Sequence, residues 1–233
     1  ASSFGVSSIF PWQRKGVAGF LKRLDLIGVR EQRGKQIVKE LTGKDAKVVC
    51  DPTFLLTTDE WIEALMENEK ERGLERNGEP YKIDTPYILA YVLGERKDVR
   101  EEIKKLREQS GLKIVNLPHV DNYHAMDDNL GDINLYDVDP FDFIRLIRDA
   151  EYVVTDSFHG TVFSILYHKK FIVIQNERRG GARIKNLLGK MNLRKALASY
   201  SEISYNSFNY SIDWDEVDTK LDKLREESIS FLR

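Results

Sequence analysis

The feature that most constrains this chain is a repeated alternation of short β-rich apolar runs with amphipathic helical patterns. That order belongs to βα units wrapped around a mainly parallel sheet. Its clearest stretch starts at Tyr87–Leu93, an apolar run closed by Gly94. Val99, Ile103 and Leu106 then recur at helical spacing up to Gly111, and Lys113–Leu117 is the next strand, stopped by Pro118. The stretch from His119 to Asp139 reads as a polar loop. Asp139 suits an N-cap with Pro140 behind it, and Phe143, Ile144, Leu146 and Ile147 supply the buried face of the helix that follows. Tyr152–Thr155, Thr161–Tyr167 and Phe171–Ile174 read as strand, short apolar helix and strand. Ile184, Leu187, Leu188 and Met191 mark one more helix.

The earlier part repeats the pattern less completely. Val17, Phe20, Leu21 and Leu24 fall at helical spacing before a short strand, Asp25–Val29. Ile37, Val38 and Leu41 form a helix that stops near Gly43, and Lys47–Cys50 is a strand broken at Asp51-Pro52. Trp61 with Leu65, and Ile62 with Met66, mark an amphipathic helix. Asn68 to Tyr81 is charged, holds Gly73, Gly78 and Pro80, and reads as a linker. A last amphipathic helix runs near Trp214–Phe231. The expected organisation is therefore the remainder of an N-terminal Rossmann-like domain over 1–67, a linker over 68–81 and a doubly wound domain over 82–200. Residues 201–233 form a tail whose helix packs back on the N-terminal part. Ala1 follows no basic or apolar leader pattern, so the start reads as a cut in a longer chain.

Charge and cysteine content remove several function classes. The formal net charge of −2 offers no global basic field for nucleic acid or an anionic membrane. A single cysteine, Cys50, excludes an intramolecular disulfide framework and a cysteine-cluster metal site, and reads as an inert core thiol. No apolar run approaches the roughly 20 residues needed to cross a bilayer.

In open parallel sheets, ligands sit at the carboxyl ends of strands, where helix N-termini favour anions. One junction has the content for this: Thr155-Asp156-Ser157-Phe158-His159-Gly160-Thr161. It leaves a buried strand, turns through small polar residues and enters an apolar helix at Gly160. The glycine would let backbone approach a ligand, and His159 would bring titratable chemistry beside a bound anion. Asp156, Ser157 and His159 suit an ordinary helix cap and turn equally well; spacing alone does not choose.

The Asp-Ser-Phe-His-Gly run, the Lys-Lys turn and the strand Phe171–Ile174 resemble the polysaccharide pyruvyl transferase family. Other pieces agree in order: Ile27-Gly28-Val29-Arg30-Glu31, Cys50-Asp51-Pro52-Thr53, Asp149-Ala150-Glu151, and Arg183-Ile184 before Leu187-Leu188. The likeness runs from about Ser3 to about Arg194. It implies glycosyltransferase-B-like α/β architecture, with facing Rossmann-like parallel-sheet domains of which the N-terminal one is truncated here and the C-terminal one binds the donor. The implied reaction moves a pyruvyl group from phosphoenolpyruvate to two hydroxyls of a sugar in a bacterial surface polysaccharide, such as an exopolysaccharide, or its precursor. A cyclic ketal forms and phosphate leaves, with no cofactor or metal beyond the donor itself. His159 matches the family's motif histidine and Arg30 its Val-Arg-Glu arginine, so the resemblance places both at the donor site with catalytic roles. Ser157, Phe158, Gly160 and Thr161 would line that site. Several members have Arg-Leu-His-Gly where this chain has Ser157-Phe158-His159-Gly160, which removes one fixed cation.

Arg178, Arg179 and Arg183 follow the strand Phe171–Ile174 and are placed to supply cations at the same edge, since guanidinium forks suit phosphate and carboxylate. For Arg178 and Arg179 a solvated basic turn is the competing reading. Arg183 opens a helix and is the best substitute for the missing arginine. Asp121, Asp127, Asp128, Asp132, Asp137 and Asp139 crowd the loop with His119 and His124. Their spacing matches no EF-hand or helical zinc pair, so the loop is read as solvated or as lining the acceptor cleft, with His119 and Asp128 as the acceptor contacts. His168 reads as an exposed turn residue.

The expected partners are a small-molecule donor and a glycan or lipid-linked sugar acceptor, not nucleic acid. The expected location is the cytoplasm, with association at the inner face of the membrane through the acceptor. Two other readings stay open: a sugar-nucleotide-dependent glycosyltransferase or epimerase of similar fold, and a non-catalytic glycan- or anion-binding module.

Overall fold

The computed structural model describes residues 3–6, 8–75, 82–119, 122–175, 181–199 and 202–232. In chain order these form α1 (Pro11–Lys22), β1 (Gly28–Val29), α2 (Gln32–Thr42), β2 (Lys47–Val48) and α3 (Thr58–Glu75). Then come β3 (Tyr87–Tyr91), α4 (Lys97–Ser110), β4 (Lys113–Asn116), β5 (Ile133–Asn134) and α5 (Pro140–Asp149). The order closes with β6 (Tyr152–Thr155), α6 (Phe158–Leu166), β7 (Lys170–Ile174), α7 (Gly181–Lys190), β8 (Leu197–Ala198) and α8 (Trp214–Leu232). The chain divides into two compact units, one holding the residues up to Leu56 with those from Asp213 onward, the other Thr57–Ile212. The division thus falls after Leu56, not near residue 67, and residues 202–212 go with the second unit rather than with the tail.

In the first unit, β1 and β2 pair in parallel, Gly28 opposite Lys47 and Val29 opposite Val48. Both are shorter than the apolar runs suggest. Ile27, Val29, Val38 and Ala46 make its core, with Phe4 and Leu21 packed against it. α2 ends on Gly43 with φ +74°, a left-handed stop that glycine takes at no steric cost. α8 belongs to this unit: Ser228 Oγ accepts the Cys50 amide at 2.9 Å, and Arg225 Nε donates to the Phe54 carbonyl at 2.8 Å. Burial pushes the Cys50 thiol up, in keeping with an inert core thiol.

The second unit is a six-stranded parallel sheet in the order β5-β4-β3-β6-β7-β8. Ala90, Val154 and Ile172 lie side by side across it, in one core with Ile103, Leu106 and Ile114. The chain steps outward from β3 through β4 to β5, then returns to the other side of β3 as β6. This reversal is the topological switch point of the sheet, and it puts the ends of β3 and β6 at the position where such sheets bind ligands. The polar loop after His119 contributes one edge strand, β5, paired with β4 through Val115 and Asn116. Residues 68–75 continue α3 instead of forming a linker, and residues 76–81 lie outside the described residues. A buried arginine explains the helix. Arg145 on α5 donates to Glu69, to the Leu65 carbonyl and to Asn68, all at 2.9 Å, and to Asp142 at 3.1 Å.

Candidate active site

The second unit gathers its chemistry at the carboxyl ends of β3, β4 and β6. Ser157 is the N-cap of α6, its hydroxyl accepting the Gly160 amide at 3.3 Å, so the helix begins at Phe158 and not at Gly160. Thr155 Oγ1 accepts the Ser157 amide at 3.0 Å and donates to the Tyr91 carbonyl at 2.6 Å. Asp156 is buried and its carboxylate takes the Leu93 amide at 2.7 Å. These last two bonds cross the switch point and tie the end of β6 to the end of β3.

His159 occupies the second position of α6 and is exposed, its ring edge against Phe158 at 5.6 Å between centroids. The helix dipole makes this end favourable for negative charge. Arg183, from the first turn of α7, holds its guanidinium 5.4 Å from the Phe158 ring centroid. Its Nε is buried without a hydrogen-bond partner in the structure, a donor that an acceptor oxygen would satisfy. Arg183, Phe158, Ser157 and His159 thus meet at one helix start. Arg178 lies outside the described residues, as does Arg179.

Two of the expected ligand contacts are used inside the protein. The Thr161 amide goes to the Ser157 carbonyl at 3.0 Å, and the Gly160 amide to the Ser157 hydroxyl. An added Cβ at Gly160 would sit 2.6 Å from Thr155 Oγ1. The glycine lets α6 close onto β6.

His119 is likewise not an open acceptor contact. It is 8% exposed, with Nδ1 2.6 Å from Asp127 Oδ2 and Nε2 3.0 Å from the Leu93 carbonyl. Arg100, 1% exposed, donates to the other oxygen of Asp127 from Nε and Nη2, and to the carbonyls of Val92 and Gly94. Burial alone would raise the Asp127 carboxyl, but the bonds from His119 and Arg100 outweigh it and hold it below the usual carboxylate value. The result is a rigid turn after β3. His119 takes the Leu93 carbonyl, Asp156 takes its amide, and Arg100 takes the carbonyls on either side. Asp128 is exposed and accepts from the Tyr123 hydroxyl at 2.5 Å. Among the described residues no three His, Cys, Asp or Glu side chains are placed to hold a metal ion.

In the first unit, Arg30 follows β1 and pairs with Asp51, which follows β2. Asp51 Oδ1 also takes the Thr53 amide at 3.1 Å and the Thr53 hydroxyl at 2.8 Å. Burial opposes ionisation here too, yet Thr53 and Arg30 hold the Asp51 carboxyl below its usual value. The Val-Arg-Glu and Asp-Pro-Thr runs are therefore two sides of one ion pair at the carboxyl ends of paired strands. Asp51 was readable as a strand breaker, not as the partner of Arg30. Arg100 left a fainter signal: it stands three residues before Ile103, inside the buried stripe of α4.

A parallel-sheet α/β fold of this kind belongs to the glycosyltransferase-B-like proteins and their fold relatives. A model of the polysaccharide pyruvyl transferase family matches residues 1–178, about three quarters of the 233. The chain belongs to that family. No curated protein matches it. Among solved structures it is similar to the UDP-GlcNAc 2-epimerase of Neisseria meningitidis bound to UDP-GlcNAc, with TM-score 0.56 and 11% identity over 89% of this chain and 60% of the epimerase. It is also similar to the glycosyltransferase SnogD of Streptomyces nogalater, with TM-score 0.42 and 11% identity over 92% of this chain and 65% of SnogD. At these identities the likeness to the epimerase speaks for the fold alone, and the chain spans about three fifths of that protein. Among the described residues no helix is long and apolar enough to cross a membrane.

Proposed function

We propose that this chain carries the donor-site part of an enzyme that transfers a pyruvyl group from phosphoenolpyruvate to a sugar of a bacterial surface polysaccharide or its precursor. The observation that carries the reading is Arg183. Its guanidinium lies over Phe158 at the start of α6, beside the motif histidine, with a buried Nε lacking an acceptor. It stands where a substitute for the family's motif arginine is needed.

The chemistry adds one sugar hydroxyl across the enol double bond, so that a C–O bond forms and the methylene carbon takes a proton. A second hydroxyl then displaces phosphate and closes the ketal. His159 is the group suited to move protons at the enol carbon or the attacking hydroxyl. Arg183 neutralises phosphate or carboxylate charge with its guanidinium fork. A lipid-linked acceptor would bring the enzyme to the inner face of the membrane. The competing reading, a UDP-sugar enzyme, draws on the fold shared with the epimerase.

The test uses the longest natural chain that carries this sequence, with phosphoenolpyruvate and a panel of acceptor glycans. His159→Asn is expected to lose at least about a hundredfold in turnover with an unchanged melting temperature, while His168→Asn is nearly silent. Wild-type turnover by His159→Asn would make the histidine a turn scaffold. Stabilisation by uridine diphosphate but not by phosphoenolpyruvate would favour the UDP-sugar reading.

A further inference from the structure

α1 is a helix without a core. None of its residues is buried. On it and beside it, Phe10, Trp12 and Phe20 are 58%, 75% and 70% exposed, and Leu26 just beyond is 72% exposed. Trp12, Gly16 and Phe20 follow at intervals of four, so they form one stripe along the helix. Phe10 extends it, stacked on Trp12 with ring centroids 4.7 Å apart. Val17, Ala18 and Leu21, half-buried, form the side turned to the rest of the first unit.

Charge along α1 itself is of one sign. Arg14, Lys15, Lys22 and Arg23 are all exposed, and no Asp or Glu precedes Asp25. Lys44 adds a fifth cation at the helix C-terminus, donating to the carbonyls of Lys22 and Leu24 at 2.8 and 2.6 Å. The net charge of −2 for the whole chain hides this local asymmetry. Helices with an aromatic stripe and a basic flank lie in the plane of a membrane interface, rings among the acyl chains and cations among the head groups. Four cations on this segment with no carboxylate before Asp25 match an anionic lipid surface in charge.

We propose that α1 docks on an anionic lipid surface, with Phe10, Trp12 and Phe20 inserted and Lys15, Lys22 and Arg23 over the head groups. This surface is independent of the donor-site reading and of the acceptor's own lipid. It would hold the protein at a bilayer before any acceptor binds.

Flotation of the longest natural chain that carries this sequence, with phosphatidylglycerol-containing vesicles and with phosphatidylcholine vesicles, tests this, with no sugar or donor present. Binding to the first, none to the second, and release at high salt are expected. Each neutralised cation among Lys15, Lys22 and Arg23 should lower partitioning about fivefold. Tryptophan emission should shift to the blue on binding, and Trp12→Phe should abolish the shift while flotation persists. Phe10→Ser with Trp12→Ser and Phe20→Ser should abolish flotation with an unchanged circular dichroism spectrum. Equal binding to neutral vesicles, no binding to anionic ones, or unaltered binding after charge reversal would overturn the proposal. So would burial of Trp12 by self-association without lipid, which would make a second copy the occupant.

Discussion

Where a side chain would go at Gly160, Thr155 already stands, its hydroxyl 2.6 Å from the ideal Cβ position and its methyl 3.2 Å away. Thr155 cannot retreat without giving up its bonds to the Tyr91 carbonyl and the Ser157 amide. Gly160→Ala is therefore expected to destabilise the second unit by about 1–3 kcal/mol, the usual cost of overpacking. Because the clash is with one residue, the penalty should shrink in a Thr155→Ala background, and urea melts of the four-variant cycle would show it. Asp127 offers a second residue-scale test. Its folded carboxyl lies below the ordinary 3.8, so its contribution is full above that value and is lost as pH falls through the lowered one. Wild type should exceed Asp127→Asn in stability by a constant margin above about pH 5, and the margin should close as the pH drops below 3.8. Thermal melts from pH 7 to pH 2.5 would check this; a margin independent of pH would show that the lost contact is not the ionised carboxylate.

At the scale of elements, Arg145 is what anchors α3 where it passes Leu65, Asn68 and Glu69. It is 2% exposed and reaches across from α5 to Leu65, Asn68 and Glu69. Arg145→Met would remove the ion pair to the buried Asp142, and a loss of about 3–5 kcal/mol is expected. Hydrogen exchange should then rise over 65–71 before it rises in β3 or β6. This element also explains what could be read in advance. β3, β4, β6 and β7 were legible because strands buried on both faces are continuous apolar runs. Residues 68–75 were not, because their anchor is a charged side chain some seventy-five residues away, which no local periodicity records. β5 and β8, two residues each, fall below any pattern. The cap at Ser157 was legible from local chemistry, whereas the Arg100–Asp127–His119 cluster joins positions up to 27 residues apart. At Gly160 the sequence pointed to a ligand approach, and the neighbour that a Cβ would meet is Thr155, since sequence does not say which way a missing Cβ points.

At the scale of the molecule, the two units differ in how they use the chain. The second is one continuous run, Thr57–Ile212, and the first is made of two pieces. α8 supplies the first unit with the Ser228 hydroxyl for the Cys50 amide, and Phe231, whose ring lies 3.0 Å from a Cβ built on Gly28. Ending the chain at residue 212 should therefore expose the amides of 27–50 to hydrogen exchange while those of β3, β6 and β7 keep their protection. Equal loss in both units would mean that they do not fold as separate bodies.

The pairing of Cys50 with Ser228 spans 178 residues, and that separation sets an order of events during synthesis. At about 5–20 residues per second, the ribosome releases β2 roughly 10–35 s before α8 exists to cover it. In that interval the whole of Thr57–Ile212 emerges as one continuous run. The earlier piece of the first unit is thus completed only after the second unit has left the ribosome.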